Sequence, residues 1–170
     1  MNVQLAEGPD QLVVSFPGVP ICFSYEYASQ KVDTFFTFSR FLDLNQPATI
    51  SRNDPATFNE LEMRHGRYGQ FIYSEEHDAF VRIIHHPHRG ENVRNRKYYR
   101  DKTATLLLYD RERNFLGESS KKYRGWDDRN ICFDKNGKII ILNVSLTKDD
   151  KCLQTGLLRY DVYKIALQES

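Results

Sequence analysis

The stretch that decides the fold is Thr105–Ser120, TLLLYDRERNFLGESS, in which two β-rich runs flank a polar turn. The same phrase recurs as Ile21–Phe38 (ICFSYEYASQKVDTFFTF) and as Ile131–Val144 (ICFDKNGKIIILNV). Hairpins that recur at wide spacing indicate radial or stacked repetition of small antiparallel sheets. The sequence therefore predicts an all-β fold.

Working outward from these hairpins, the chain offers further segments with a period of two or with β-rich composition. In Ile21–Ala28, for example, Phe23, Tyr25 and Tyr27 alternate with Cys22, Ser24 and Glu26, which indicates a strand with one drier face. The predicted strands are Gln11–Phe16, Ile21–Ala28, Lys31–Ser39, Tyr68–Tyr73, Ala79–His86, Thr103–Asp110, Phe115–Ser120, Asn130–Phe133, Lys138–Val144 and, within the closing segment, Gly156–Leu167. Asn136-Gly137 supplies the positive φ angles of a tight hairpin turn.

Grouped in order, the four strands between Tyr68 and Ser120 form one complete antiparallel four-stranded blade. The unit before it is predicted to start at its second strand, and the last unit to stop at its third. The prediction is one β-propeller-like domain, 1–170, with about two and a half blades, forming the C-terminal part of a larger propeller. Such a piece needs a missing N-terminal half or a second copy at its open sheet edges, unless its strands rearrange into a small open sandwich.

Residues 40–67 interrupt this rhythm and are predicted to be an insertion. Asp54-Pro55 resembles a helix start, with Asp as the N-cap and Pro in the first turn. We expect one short helix, Ala56–Arg64, that covers a junction between repeats.

Composition narrows the function classes. Lys and Arg nearly balance Asp and Glu, giving a net charge of +1, so the whole chain favours neither nucleic acid nor an anionic membrane. Cys22, Cys132 and Cys152 are widely spaced without a CxxC, which supports neither a disulfide framework nor a zinc site. Free, mostly buried thiols are expected, and one disulfide is the alternative. No segment has the length of a spanning helix or the pattern of a signal peptide.

Histidines cluster near the end of a predicted strand, at His85, His86 and His88. Neighbouring residues of a strand point to opposite faces, so His85 and His86 could share a metal only across a bend. A metal would also need a third ligand such as His65, His77 or Asp78. Anchoring of a loop at the strand end, or lining of a rim, is the expected role.

The segment that follows, His88–Arg100, is rich in Arg and Tyr with Glu91 as its single acid. Arginine forks and aromatic rings can grip a phosphate, a carboxylated sugar or single-stranded nucleic acid. The competing interpretation is a solvated loop whose arginines pair with neighbouring acids. Candidate ligand-binding residues are His86, His88, Arg89, Arg94, Arg96, Lys97, Tyr98, Tyr99, Arg100 and Trp126.

Other polar groups give no assignable chemistry. Asp127-Asp128 and Asp149-Asp150 lack the calcium-loop pattern, and Asp134 with Asn136 fits the shaping of a hairpin turn. Hydrolase, P-loop and dinucleotide motifs are absent from the sequence. Trp126 is expected either as a packing wedge between units or as a platform for a sugar. No catalytic residue, metal ligand or cofactor is assigned.

Phe80–Arg100 (FVRIIHHPHRGENVRNRKYYR), with TLLLYDRERNFLGE and FDKNGKIIILN, resembles a family of uncharacterised Bacteroidetes proteins. The resemblance runs from about Leu12 to the C-terminus and is most specific at His-His-Pro and Asn95–Tyr99. It implies a six-bladed β-propeller, a predicted lipoprotein and a cell-envelope or periplasmic location. The N-terminal half of that family, with any signal and lipid-attachment cysteine, is not expected in this chain.

The resulting functional hypothesis is a non-enzymatic binding or interaction module that recognises an anionic or glycan ligand through residues 87–100. Nucleic acid is not expected as a partner. The alternative is a glycan-active hydrolase or lyase that uses a rim histidine, His86 or His88, with an aspartate. A purely structural role is a third reading.

Overall fold

The computed structural model describes residues 3–17, 19–40, 42, 64–88, 102–119, 123–124, 126–143 and 160–166, with backbone alone at 123–124 and 126–129. These residues form three antiparallel β-sheets, which confirms the predicted all-β class. The helices in this part of the chain include none long and apolar enough to cross a membrane.

Each sheet is built from consecutive strands, most of which pair with their neighbours in sequence. The first sheet contains β1 (Gln4–Glu7), β2 (Gln11–Ser15), β3 (Ile21–Glu26) and β4 (Val32–Phe36). The second contains β5 (Arg67–Ser74), β6 (Ala79–His85), β7 (Thr103–Asp110) and β8 (Phe115–Glu118), with β9 (Tyr123–Arg124) also paired to β7. The third contains β10 (Trp126–Phe133), β11 (Ile139–Asn143) and β12 (Tyr160–Tyr163).

The prediction that the first unit starts at its second strand is wrong. The structure adds β1, which pairs with β2 from Gln4 opposite Ser15 to Glu7 opposite Leu12, so this sheet has four strands. Its sequence, QLAE, is short and carries Ala and Glu, which disfavour strands, so tertiary pairing overrides propensity. The third sheet ends at three strands within the described residues, as predicted.

Two smaller differences concern the third unit and the insertion. The predicted strand Asn130–Phe133 starts too late, because Trp126 opens β10 and pairs with Asn143, before a register shift that ends at Ile131. The predicted helix Ala56–Arg64 lies outside the described residues except at its last position, as does most of the insertion 40–67.

The second sheet is the centre of the molecule because both of its faces are covered. Every residue of β6 is buried. On one side, Phe80, Ile84 and Phe71 pack with Val13 and Cys22 of the first sheet. On the other side, Val81 and Ile83 pack with the third sheet, in a cluster that also contains Ala104, Ile131, Ile139 and Ile141. The three sheets therefore form a stack with the second sheet in the middle.

The first strands of the sheets lie side by side, since β5 contacts both β1 and β10. The connections then divide between two ends of the sheets. Five short turns, 8–10, 27–31, 75–78, 111–114 and 134–138, lie at one end, here called the turn end. The connections 16–20, 37–66, 86–102, 119–122 and 144–159 begin and finish at the opposite end, called the loop end.

The outer faces of the stack are apolar. In β3 the small residues Cys22 and Ser24 lie buried toward the second sheet, whereas Phe23 is 37% exposed on the other side. The aromatic side of β3 is thus its outward side, because the described part of the chain places no further sheet against it. We call this the open face of the first sheet.

Candidate functional site at the loop end

The structure places the start and the finish of the predicted binding segment at the loop end. The chain leaves the second sheet through His86 and His88 and returns at Lys102. Trp126 begins β10 at the same end. The other candidate residues lie outside the described ranges, namely Arg89, Arg94, Arg96, Lys97, Tyr98, Tyr99 and Arg100.

His86 is held rigidly where β6 ends. Its backbone N–H donates to Thr103 O at 2.8 Å, which extends the strand pairing by one residue. Its Nε2 lies 3.0 Å from the Thr105 hydroxyl, and that hydroxyl lies 2.9 Å from Glu118 Oε1. Since a hydroxyl has one proton and Thr105 donates it to the carboxylate, His86 Nε2 is the donor in the first hydrogen bond. The imidazole is 3% exposed, so its contacts fit an anchor.

Glu118 collects the donors of this cluster. Its side chain is 2% exposed, yet it accepts from Thr105, from the Ser39 hydroxyl at 2.6 Å and from the Arg40 backbone N–H at 3.1 Å. Arg40 Nε lies a further 3.8 Å from the same carboxylate. A buried carboxylate is tolerated when its lone pairs are satisfied in this way. The cluster therefore ties the end of the first sheet to β8 of the second.

Arg82 is a buried cation that the sequence analysis missed. It is fully buried in β6, its Nη2 donates to Phe16 O at 3.1 Å, and its Nη1 reaches the Thr37 hydroxyl and, at 3.3 Å, Cys22 Sγ. Its guanidinium also lies 4.5 Å from the ring centre of Tyr68. Burial lowers the pKa of Arg82 and raises the pKa of the Cys22 thiol. An arginine between apolar residues on both sides, FVRII, was the available signal.

The turn end is closed by polar contacts between sheets. Arg111 binds Asp10 of the first sheet at 2.8 Å and lies 3.8 Å from Asp78. Its hydrogen bond and charge lower the pKa of Asp10. His77 Nε2 lies 3.1 Å from Gly137 O, which links the second sheet to the third. These contacts between short turns therefore hold neighbouring sheets together at the turn end.

The positions of these residues along β6 test the metal hypothesis. His77 and Asp78, two of the suggested third ligands, lie at the turn end, whereas His85, His86 and His88 lie at the loop end. A metal site that joins the loop-end histidines with His77 or Asp78 is therefore wrong, because the length of β6 lies between them. The described residues contain no group of three or more His, Cys, Asp or Glu side chains placed to hold a metal.

Two clefts lie between the sheets. One, of about 550 Å³, runs between β1, β5 and β10; its lining is largely apolar but includes Glu7, Glu75 and Glu76, and we call it the acidic cleft. The other, of about 640 Å³, is aromatic and is bounded by Phe36, Phe38, Tyr109, Phe115, Ser39, Arg40, Gly117 and Glu118. We call the second one the aromatic cleft.

The aromatic cleft has the chemistry of a surface for flat ligands. Phe36 and Phe38 stack with 5.5 Å between ring centres and an interplanar angle of 5°, and both are about half exposed. Phe115 is equally exposed and packs edge-on against the buried Tyr109 at 5.6 Å. Arg40 stands at the loop-end side of this cleft with 61% of its side chain exposed.

Comparisons with known proteins bear on the fold alone. No family model matches the sequence, and no curated protein matches it. Among solved structures, the chain is similar to a member of the DUF4221 family from Bacteroides vulgatus, with a TM-score of 0.69 and 11% sequence identity. The similarity covers 96% of this chain and 46% of that one, so this chain spans about half of its length. The expected fold of an uncharacterised Bacteroidetes family is supported at this level.

Proposed function

We propose that the chain is a non-enzymatic binding module of propeller type, which recognises an acidic glycan at its loop end. The observation that carries this proposal is that the two ends of the sheets differ in the length of their connections. Short turns fastened by ion pairs close one end, whereas the long connections, including the Arg- and Tyr-rich segment, begin and finish at the other. Rigid scaffolds that present long loops at one end commonly bind ligands there.

The side-by-side contact of β1, β5 and β10 supports a radial arrangement. In a propeller the first strands of successive blades surround a central axis, and turns alternate with longer connections between the two ends. In the three sheets, β5 contacts both β1 and β10, and short turns alternate with other connections between the two ends. On this reading, each sheet is one blade, and the acidic cleft between the first strands lies beside the central axis.

Three groups, at the loop end or reaching it through Phe38 and Arg40, support an acidic glycan as the ligand. The segment 89–100 supplies four arginines and two tyrosines. The aromatic cleft offers exposed rings against which sugar faces can stack. Arg40 lies beside those rings and can bind a carboxylate with its guanidinium fork. The buried His86–Thr105–Glu118 chain would hold the scaffold beneath the ligand in place.

Calorimetric titration with oligogalacturonate tests this proposal. We expect wild-type protein to bind this carboxylated oligosaccharide, with affinity falling as salt rises. Substituting Arg94, Arg96 and Arg100 by Ala should weaken binding at least tenfold.

The matched control removes the same number of charges at the turn end, by substituting Lys31, Lys135 and Lys138, which are exposed. This control should bind as the wild type does. Equal loss in both triple variants, or unchanged binding in the arginine variant, would refute recognition at the loop end. Substituting Phe38 by Ala tests the aromatic cleft separately, because removing an exposed ring should weaken glycan binding without removing a charge.

Catalysis by His86 is a distinct hypothesis with its own test. Its imidazole is buried and donates to Thr105, so it would need to leave this contact to reach a substrate. Hydrolysis or elimination of the same oligosaccharide by the wild type, lost in His86→Ala, would favour the enzyme and contradict a pure binding role.

A further inference from the structure

The two outer faces of the stack are the most apolar surfaces of the described chain. The open face of the first sheet presents alternate residues of all four strands, in step with the register of their pairing. Its apolar members are Leu5, Leu12, Val14, Ile21, Phe23, Tyr25, Val32 and Phe36. Leu5 is 58% exposed. Such contiguous apolar surface indicates a site that another protein surface covers.

The third sheet has a matching open face. The residues that point away from the second sheet are Cys132, Ile140, Leu142, Tyr160 and Val162. Val162 is 57% exposed, whereas Ile139 and Ile141, on the opposite face of β11, are almost completely buried. The stack therefore ends in an apolar face on both sides.

The inner interfaces show what each open face accepts. One face of the first sheet packs on the second sheet, and the opposite face of the second sheet packs on the third. If this order of stacking continues, the open face of a third sheet packs on the open face of a first sheet. The two surfaces are then partners for each other and not for themselves.

Charge at the turn-end margins favours the same pairing. Glu7, exposed at the end of β1, lies on the open face of the first sheet. Lys138 and Lys164 are exposed and extend the alternation of the third sheet by one residue beyond the pair Ile139 and Tyr163. Asp134 on that margin accepts hydrogen bonds from its own turn. Glu7 thus lies near Lys138 and Lys164 only when a first sheet pairs with a third sheet.

We infer that a second copy of this chain covers both faces, with the open face of each first sheet on the open face of the other third sheet. Two such interfaces related by a two-fold axis cover all four outer faces in one closed dimer. This inference concerns the partner, and Phe36 belongs both to this open face and to the aromatic cleft, so the two surfaces adjoin there.

Light scattering after gel filtration tests the pairing with two charge variants, Phe23→Glu on the first sheet and Val162→Lys on the third. Both sites are exposed and belong to the third strand of their sheet. We expect the wild type at twice the chain mass, each variant at the single-chain mass, and an equal mixture of the two again at twice the chain mass. Mixing restores the dimer because one interface is then wild type and the other joins Glu to Lys.

The mixture also shows that both variants are folded, since an unfolded chain could not reassemble. Lys31→Glu, an exposed change at the turn end, should leave the dimer intact. A wild type at the single-chain mass at every concentration would overturn the inference and point to another segment or partner on these faces. Dissociation by only one of the two variants would also overturn it, because it indicates pairing of like faces.

Discussion

Replacing Arg82 should reveal what holds the first two sheets together. Arg82→Ala removes a fully buried side chain and leaves Phe16 O, Gly69 O and the Thr37 hydroxyl without this donor. Truncating a large buried side chain costs about 2–5 kcal/mol, and each buried acceptor without a donor costs about 1–3 kcal/mol. Releasing a guanidinium that pairs with no carboxylate in the described chain offsets several kcal/mol of this loss.

We therefore expect Arg82→Ala to lower the free energy of unfolding by about 3–5 kcal/mol. At about 2–4 °C per kcal/mol for a domain of this size, the Tm should fall by roughly 6–20 °C. Arg82→Met keeps most of the volume and also removes the charge, so we expect less than half of that loss.

Urea unfolding followed by circular dichroism at one fixed protein concentration measures these differences. Lys31→Met, an exposed change, is the matched control and should stay within about 0.5 kcal/mol of the wild type. An Ala variant as stable as this control would refute the role given to Arg82. A Met variant as unstable as the Ala variant would refute the division between packing and hydrogen bonding.

Two further substitutions and one titration test other contacts. Gly137→Ala should cost about 1–2 kcal/mol in thermal unfolding, because φ is +70° there and a Cβ would lie 2.7 Å from His77 Nε2, whereas Ala at Gly117, where a Cβ would meet nothing within 4 Å, should be nearly neutral. Glu118→Leu should cost about 2–4 kcal/mol by stranding buried donors, and Glu118→Gln should cost less; equal losses would contradict the hydrogen-bonding role. Burial raises the pKa of Tyr68 to about 12, so stability should be complete below pH 10 and fall between pH 10 and 12; Tyr68→Phe should flatten this fall, and an unchanged pH profile would contradict it.

Much of the fold could be predicted from the sequence because turn chemistry and alternation are local signals. The hairpins at Arg111–Asn114 and at Asn136-Gly137 are both present. Gly137 has the predicted positive φ, but Asn136 does not, so that part of the turn prediction was wrong. Strand β1 was not predicted, because QLAE has no strong local preference for a strand and is stabilised by pairing with β2. Pairing across a sheet is a tertiary property, which a short window of sequence does not carry.

The candidate site was less accessible from sequence. The histidine cluster was correctly expected to lie at a strand end, but its link to Glu118 through Thr105 joins residues that are far apart in sequence. The aromatic cleft likewise combines β4 with β8 from two different sheets. In β3, alternation identified two faces but could not say which one packs, because that depends on the neighbouring sheet.

The measurement that tests the central claim most directly is the rate at which Cys132 reacts with a thiol reagent. Cys132 is exposed in one chain and lies on the open face of the third sheet, while Cys22 is buried and serves as the internal reference. In a Cys152→Ser background, we expect slow labelling of Cys132 at high protein concentration and fast labelling after dilution or in the Phe23→Glu variant. Labelling of Cys132 that is fast at every concentration and equal in both proteins would contradict the claim that a second copy covers this face.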